Sequence, residues 1–290
     1  MRLPFIENKF SAKALCVLCV LCVSLNAVAE FSTNQTLNGI IIRSETRKNP
    51  PERLFVAEVD LKNPKLHLRV ARGGPDPDGP GKWQTTLMKP TRIAVREKFD
   101  FVVNGDFFKA RYVNDGEGTN AAFRAGQWSL AQGPAMTDGQ TWSTCTNARP
   151  CLVVHQNRAV TIEVLTQPNA DAWEVIGGNT LLVHDGIMVP HQSKVRHPRT
   201  VVGLDATANK LTILVLDGRK PGVALGMSYD ELAAEMIRLG CKEALNLDGG
   251  GSSVMAVRDR ASGGMKILNA PTDGRERAVA NVLGISVDQN

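Results

Sequence analysis

The chain has 290 residues, 43% of them hydrophobic and 22% charged, with a formal net charge of +5. That composition is ordinary for a globular protein, and the length supplies one large core or two small ones. The weak basic balance suits an anionic ligand. No Lys/Arg cluster interleaved with aromatics marks a nucleic-acid surface.

The N-terminus reads as a secretory signal peptide over residues 1–29. Arg2, Lys9 and Lys13 make a basic start, Ala14 to Leu25 an apolar run, and Ala27-Val28-Ala29 a small-x-small cleavage site before Glu30. The run is short for a membrane span, which needs roughly 20 apolar residues. The expectation is therefore an exported protein, periplasmic or secreted, with no stable membrane insertion. Cleavage would leave residues 30–290 as a single domain and lower the net charge to about +3.

Alternating apolar patterns predict strands at 40–43, 54–61 and 66–70. A helix is expected from Thr86 towards Lys98, with Pro90 interrupting it or delaying its start. Phe101-Val102-Val103 reads as a short buried strand. Residues 109 to 142 are rich in Gly, Asn and Asp and show no period. Strands resume at 152–155, 159–165, 175–178 and 180–183, and again at 200–204 and 211–216. Ser228 with Glu231 spells a capping box, followed by Leu232, Met236 and Leu239 at helical spacing and Gly240 as the stop. Strands at 244–247, 253–257 and 279–287 complete the chain. The expected fold is α+β, with a mixed or antiparallel sheet core and a few flanking helices.

Three cysteines remain beyond the signal. Cys145 and Cys151 flank a turn-prone loop and are expected to form a disulfide in an oxidising compartment. Cys241 reads as a buried inert thiol.

Four segments carry chemistry. Asn104-Gly105-Asp106-Phe107-Phe108 ends a strand with a carboxamide and a carboxylate beside two aromatics. In Asn246-Leu247-Asp248-Gly249-Gly250-Gly251-Ser252-Ser253, three glycines let the backbone approach a ligand and turn N–H groups towards an anion. No Gly-Lys-Ser/Thr follows, which excludes a P-loop. His197-Pro198-Arg199 opens a strand, where Arg199 can clamp a phosphate with its planar fork and His197 can donate to it. Asp217-Gly218-Arg219 follows another strand. A fifth element, Ile176-Gly177-Gly178, reads mainly as a hairpin, with Gly178 at the cleft.

In this order the segments resemble the phosphodiester glycosidase domain family, over roughly residues 85 to 287. The resemblance implies hydrolysis between a sugar's anomeric carbon and a phosphodiester, in a sugar-1-phosphodiester or phosphoglycan of the envelope or exterior, with N-acetylglucosamine the first sugar to try. Carried onto this sequence, it makes Asp106 and Asp248 the catalytic carboxylates. Arg199 and the N–H groups of Gly249, Gly250 and Gly251 would hold the phosphate. Asn104, Gly105, Gly178, His197, Asp217, Arg219, Ser252 and Ser253 would complete the binding site. No metal or other cofactor is expected, with Ca²⁺ on Asp106, Asp217 and Asp248 as the alternative. Two other functions stay open at this point: a phosphodiesterase that breaks the P–O bond, and a glycan-binding or exopolysaccharide assembly protein without turnover.

Overall fold

A computed structural model describes residues 32–37, 39–111 and 123–288. The expected signal segment lies outside these residues. Strands dominate: there are twenty-one, against two α-helices, among the described residues. Every ladder between them is antiparallel. The fold is therefore predominantly β, where the sequence led us to expect a more balanced α+β. The excess comes from short strands at Phe108–Ala110, Trp128–Ala131, Ala135–Thr137 and Gln140–Ser143, all in or bordering the stretch without a period.

An eight-stranded sheet carries, in its middle, Pro51–Asp60, Lys210–Leu216, Arg199–Leu204 and Glu243–Asn246. A five-stranded sheet is centred on Phe101–Asn104, between Met255–Arg258 and Asn281–Val287. A second is built on Ala172–Gly177 and Arg149–His155. One apolar core joins all three. Ile42, Val202 and Leu245 come from the first sheet, Phe101, Val103 and Leu283 from the second, and Leu152 and Ile176 from the third. Each such side chain taken fully out of water contributes about 1.5–3 kcal/mol before entropy is counted.

The helices seal the outer faces. Tyr229–Arg238 has the capping box of Ser228 and Glu231, and lays Leu232, Ala233 and Met236 on Leu182, Val201 and Leu214. Pro90–Glu97 begins at its proline, so the earlier residues never join it, and it packs Ile93 and Ala94 on Phe99, Val102 and Val282. No helix among the described residues is long and apolar enough to cross a membrane.

Strand ends from all three sheets meet at one place. Asn104 closes Phe101–Asn104, Asn246 closes Glu243–Asn246, and Gly177 closes Ala172–Gly177. The two chemistry-bearing segments leave from the first two of these ends. The backbone N–H of Asp248 donates to the carbonyl of Gly105 over 2.9 Å, fastening the segments to each other.

Candidate active site

Asp106 sits in the seam between the sheets, 1% exposed. Its Oδ2 accepts the N–H of Gly133 at 2.6 Å, and its own N–H donates to Asn281 Oδ1 at 2.8 Å. Its Oδ1 is buried without a hydrogen-bond partner. Three glycines make this position accessible to a carboxylate. A Cβ on Gly133 or on Gly177 would come within 3.0 Å of Asp106 Oδ2, and one on Gly105 would lie 2.1 Å from Asn281 Oδ1. Gly105 is thus required by close approach, and its φ is not left-handed. Burial pushes the Asp106 carboxyl up to about 7, against the pull of the Gly133 N–H and the Arg149 guanidinium, and the nearby Asp248 charge adds to the rise.

Asp248 is the partly exposed member of the pair. Its Oδ1 accepts the Gly249 N–H at 2.8 Å. Desolvation raises it to about 6, while the Ser252 hydroxyl, the Gly249 N–H, Arg277 and Arg219 draw it back down. Both carboxyls are raised by burial and lie within electrostatic reach of each other, the kind of environment found at functional sites.

The glycine loop makes a short 3₁₀ turn over Gly250–Ser252, with Gly250 at φ +62°. Two of its N–H groups are already engaged: Gly249 on Asp248, and Gly250 on the carbonyl of Pro198 at 2.9 Å. The expected anion cradle of three N–H groups is therefore reduced to that of Gly251. Two guanidinium groups stand beside the loop instead, Arg219 and Arg277, the second paired with Asp273 at 2.8 Å. A Cβ on Gly250 would meet Arg219 Nη1 at 3.1 Å, and one on Gly251 would overlap Arg277 Nη2. Arg219 holds a left-handed φ of 58°, a strain of about 1–3 kcal/mol for a side chain of this kind, and its Nε donates to His197 Nδ1 at 3.2 Å. That contact makes Nδ1 the acceptor and leaves Nε2–H as the donor of a neutral ring. Desolvation and the charges of Arg219 and Arg199 lower the proton affinity of His197, in keeping with neutrality.

Other expected ligand-binding residues serve the scaffold. Asn104 is fully buried. Its Nδ2 donates to the Asp248 carbonyl at 2.7 Å, and its Oδ1 accepts from Thr200 Oγ1 and the Val254 N–H. It brackets the Asp248 loop. Arg199 is 5% exposed, stacked 4.2 Å from the Tyr229 ring and tied to the Met227 and Val195 carbonyls. Its Cδ and Cα lie beside Gly249 of the loop. Asp217 is buried and accepts from the Ala270 N–H and from Asn269, which also donates to the Ser253 carbonyl. Gly178 packs against Leu245 and Asn246, and its neighbour Gly177 is the one that meets Asp106.

Arg149, Arg277, Gly133 and Asn281 were not anticipated from the sequence. Of these, only Gly133 carries a local sign, standing between Gln132 and Pro134 in a turn-prone dipeptide. Buried polar atoms without partners cluster here: Asp106 Oδ1, Asn246 Oδ1, Ser253 Oγ and Asn281 Nδ2. Folded proteins rarely leave such groups unpaired except where a ligand or reaction uses them. A cavity of about 510 Å³ between Leu66–Arg72 and the 155–160 turn contains none of these residues and is separate from this chemistry.

Cys145, Cys151 and Cys241 are free thiols in the structure. The expected Cys145–Cys151 bond is not formed, because Cys145 Sγ turns to the Asn147 carbonyl and Cys151 Sγ to that of Arg149. Asp106, Asp217 and Asp248 do not gather as a metal site. The one such grouping among the described residues is His184, Asp185 and Glu243, largely exposed at a distant turn.

Comparison with solved structures places the fold. The catalytic domain of zebrafish N-acetylglucosamine-1-phosphodiester alpha-N-acetylglucosaminidase, auto-inhibited by its pro-peptide, aligns with a TM-score of 0.61 at 19% identity, covering 91% of this chain and 85% of that one. A Burkholderia pseudomallei protein named for its supposed export aligns at 0.59 and 15% identity, over 81% and 74% of the two chains. A hypothetical protein from Synechocystis aligns at 0.57 and 15% identity, over 90% and 64%. In sequence, the uncharacterized SPbeta prophage-derived protein YomE of Bacillus subtilis is 38% identical over 92 residues, which make up 32% of this chain and 13% of that protein. The family model for phosphodiester glycosidases matches residues 97–286, a span that takes in both carboxylates, the glycine loop and both guanidinium groups beside it. The chain belongs to the phosphodiester glycosidase family.

Proposed function

We propose that the protein hydrolyses the bond between a sugar's anomeric carbon and a phosphodiester, with N-acetylglucosamine as the first sugar to test. The observation that carries this reading is one partly exposed carboxylate, Asp248, set between Arg219 and Arg277 at a glycine loop. Cleavage at an anomeric carbon needs a carboxylate where positive charge develops, and positive charge where the phosphate departs.

In this mechanism Asp248, ionised above about pH 6, takes a proton from water as the water oxygen bonds to the anomeric carbon. The bond from that carbon to the phosphate oxygen breaks, and its electron pair leaves with the phosphate. Arg219, Arg277 and the Nε2–H of His197 receive the departing charge. Asp106 is a positioning residue. Sealed behind Asp248, it keeps its proton to about pH 7 and so prevents two adjacent negative charges at the working pH. The products are the free sugar and a phosphate monoester. The fold likeness, the family and the placement of both carboxylates support this reading.

The direct test is sugar release from a panel of sugar-1-phosphodiesters by the purified protein. Release that disappears in Asp248→Asn supports the reading. Release unaffected by that change removes Asp248 from the mechanism, and glycan binding without release points to a non-catalytic protein. The N-terminal signal pattern supports a location outside the cytoplasm, in the periplasm or medium. Cell fractionation that finds the mature chain in the cytoplasm would overturn that location.

A further inference from the structure

A second cavity opens beside the seam between the sheets. It has a volume of about 390 Å³ and polar walls, and lies between the loop that follows Leu66–Arg72 and the hairpin of Ala135–Thr137 with Gln140–Ser143. Ligand sites typically start at about 300 Å³, so one or two sugar rings fit. Its walls include Arg72, Lys82, Trp83, Gln84, Gln140 and Trp142.

The two cations stand over the two indoles. Arg72 lies 5.6 Å from the Trp142 ring and Lys82 lies 5.1 Å from that of Trp83. Neither cation has a carboxylate partner among the described residues, whereas Arg69, next but two to Arg72, pairs with Asp138 at 2.6 Å. Asp76, the carboxylate in the wall, already accepts the N–H groups of Asp78 and Gly79. The cavity thus offers two positive charges, offset in part by the Asp76 carboxylate, together with two aromatic surfaces and the amide of Gln140. Aromatic surfaces receive the C–H face of a sugar ring, amides its hydroxyls, and the cations a phosphate or carboxylate.

A line of hydrogen bonds joins this cavity to Asp106. Gln84 Nε2 donates to Ser143 Oγ at 3.1 Å, Ser143 Oγ donates to the Gly133 carbonyl at 2.8 Å, and the Gly133 N–H donates to Asp106 at 2.6 Å. The cavity wall and Asp106 are therefore linked by three consecutive hydrogen bonds.

We infer that this cavity is a binding subsite for an anionic saccharide, a sugar ring bearing phosphate or carboxylate. As a subsite it rests on the proposed glycosidase reading, in which it would hold the glycan beyond the scissile bond. Its occupancy is measured by binding alone.

The probe is glucose 6-phosphate, which has no anomeric phosphodiester to cleave, with glucose and inorganic phosphate as comparisons. Tryptophan fluorescence and calorimetry on the whole protein report binding. Glucose 6-phosphate should bind at least about tenfold more tightly than glucose and quench the indole emission, and inorganic phosphate should not quench it. The Arg72→Gln, Lys82→Gln double variant should lose about tenfold in affinity for glucose 6-phosphate with its melting temperature unchanged, and Trp142→Phe should diminish the quench. The inference is overturned if the double variant binds glucose 6-phosphate as the wild type does, or if Arg219→Ala alone removes all binding. Absence of sugar-1-phosphodiester hydrolysis would defeat the glycosidase reading and leave this binding result standing.

Discussion

Two of the places where the molecule buries charge treat it in different ways. Behind the helix Tyr229–Arg238, Arg47 meets Glu45, Glu52 and Glu235, and Arg238 meets Glu45 and Glu235. Burial alone would raise Glu235, but the hydrogen bonds from Arg238 and Arg47 bring it below the usual carboxylate range. At the seam between the sheets the carboxyls of Asp106 and Asp248 are raised, and one Asp106 oxygen has no partner. The same desolvation acts in both regions. In the first it is offset by arginines at Glu235, though burial still holds Glu52 above the usual carboxylate range, and the result is structure. In the second it is left uncompensated, and the result is a pair whose charge responds to a ligand or to pH near neutrality.

Substitutions can break this contrast at either end. The largest effect belongs to Asp248→Asn, which should lower turnover by at least about 10³-fold in steady-state kinetics and leave the melting temperature within a few degrees. Arg219→Ala should lower kcat by about 10²-fold, since it removes a donor to the departing charge, and added guanidinium should restore part of it. The pH profile sharpens the account. Activity requires Asp248 ionised and the Asp106 proton retained, so kcat/KM should rise to a limb near 6 and fall beyond a limb near 7. In Asp106→Asn the upper limb should vanish while the lower one remains.

At the paired site the effect should fall on stability. Arg47→Ala leaves three carboxylates without their common cation, and should cost about 3 kcal/mol in denaturant unfolding with the pH profile of turnover unmoved. A smaller test lies at Glu174, a fully buried carboxyl that takes the N–H groups of Val70 and Asp138. Burial raises it to about 8. A carboxyl raised in the folded state stabilises most below its unfolded value, and that stability is lost as pH rises through the folded value. Glu174→Gln should therefore melt at a higher temperature than the wild type above pH 8, with the difference shrinking towards pH 5.

Much of this was legible in the sequence, for identifiable reasons. Strands such as Lys210–Leu216 and Asn281–Val287 carry apolar runs, and the helix at Tyr229–Arg238 carries its own start and stop signals. The short strands between Phe108 and Ser143 do not. They are three or four residues long, their pairings are set by tertiary context, and so the β content was underestimated. Asp106 and Asp248, which the structure brings near each other, stood out in the sequence because each follows a buried strand and adjoins glycine. Arg149, Arg277 and Asn281 did not, because what makes them relevant is contact with residues more than twenty positions away. The stacking of Arg199 on the ring of Tyr229, thirty residues on, was likewise not legible from its place at a strand start.

The measurement that bears most directly on the central claim is hydrolysis of a sugar-1-phosphodiester in ¹⁸O-labelled water, with Asp248→Asn alongside. The account predicts label in the released sugar, none in the phosphate monoester, and no release by the variant. Label in the phosphate would contradict it, since water would then have attacked phosphorus and the carboxylate at the glycine loop would have another task.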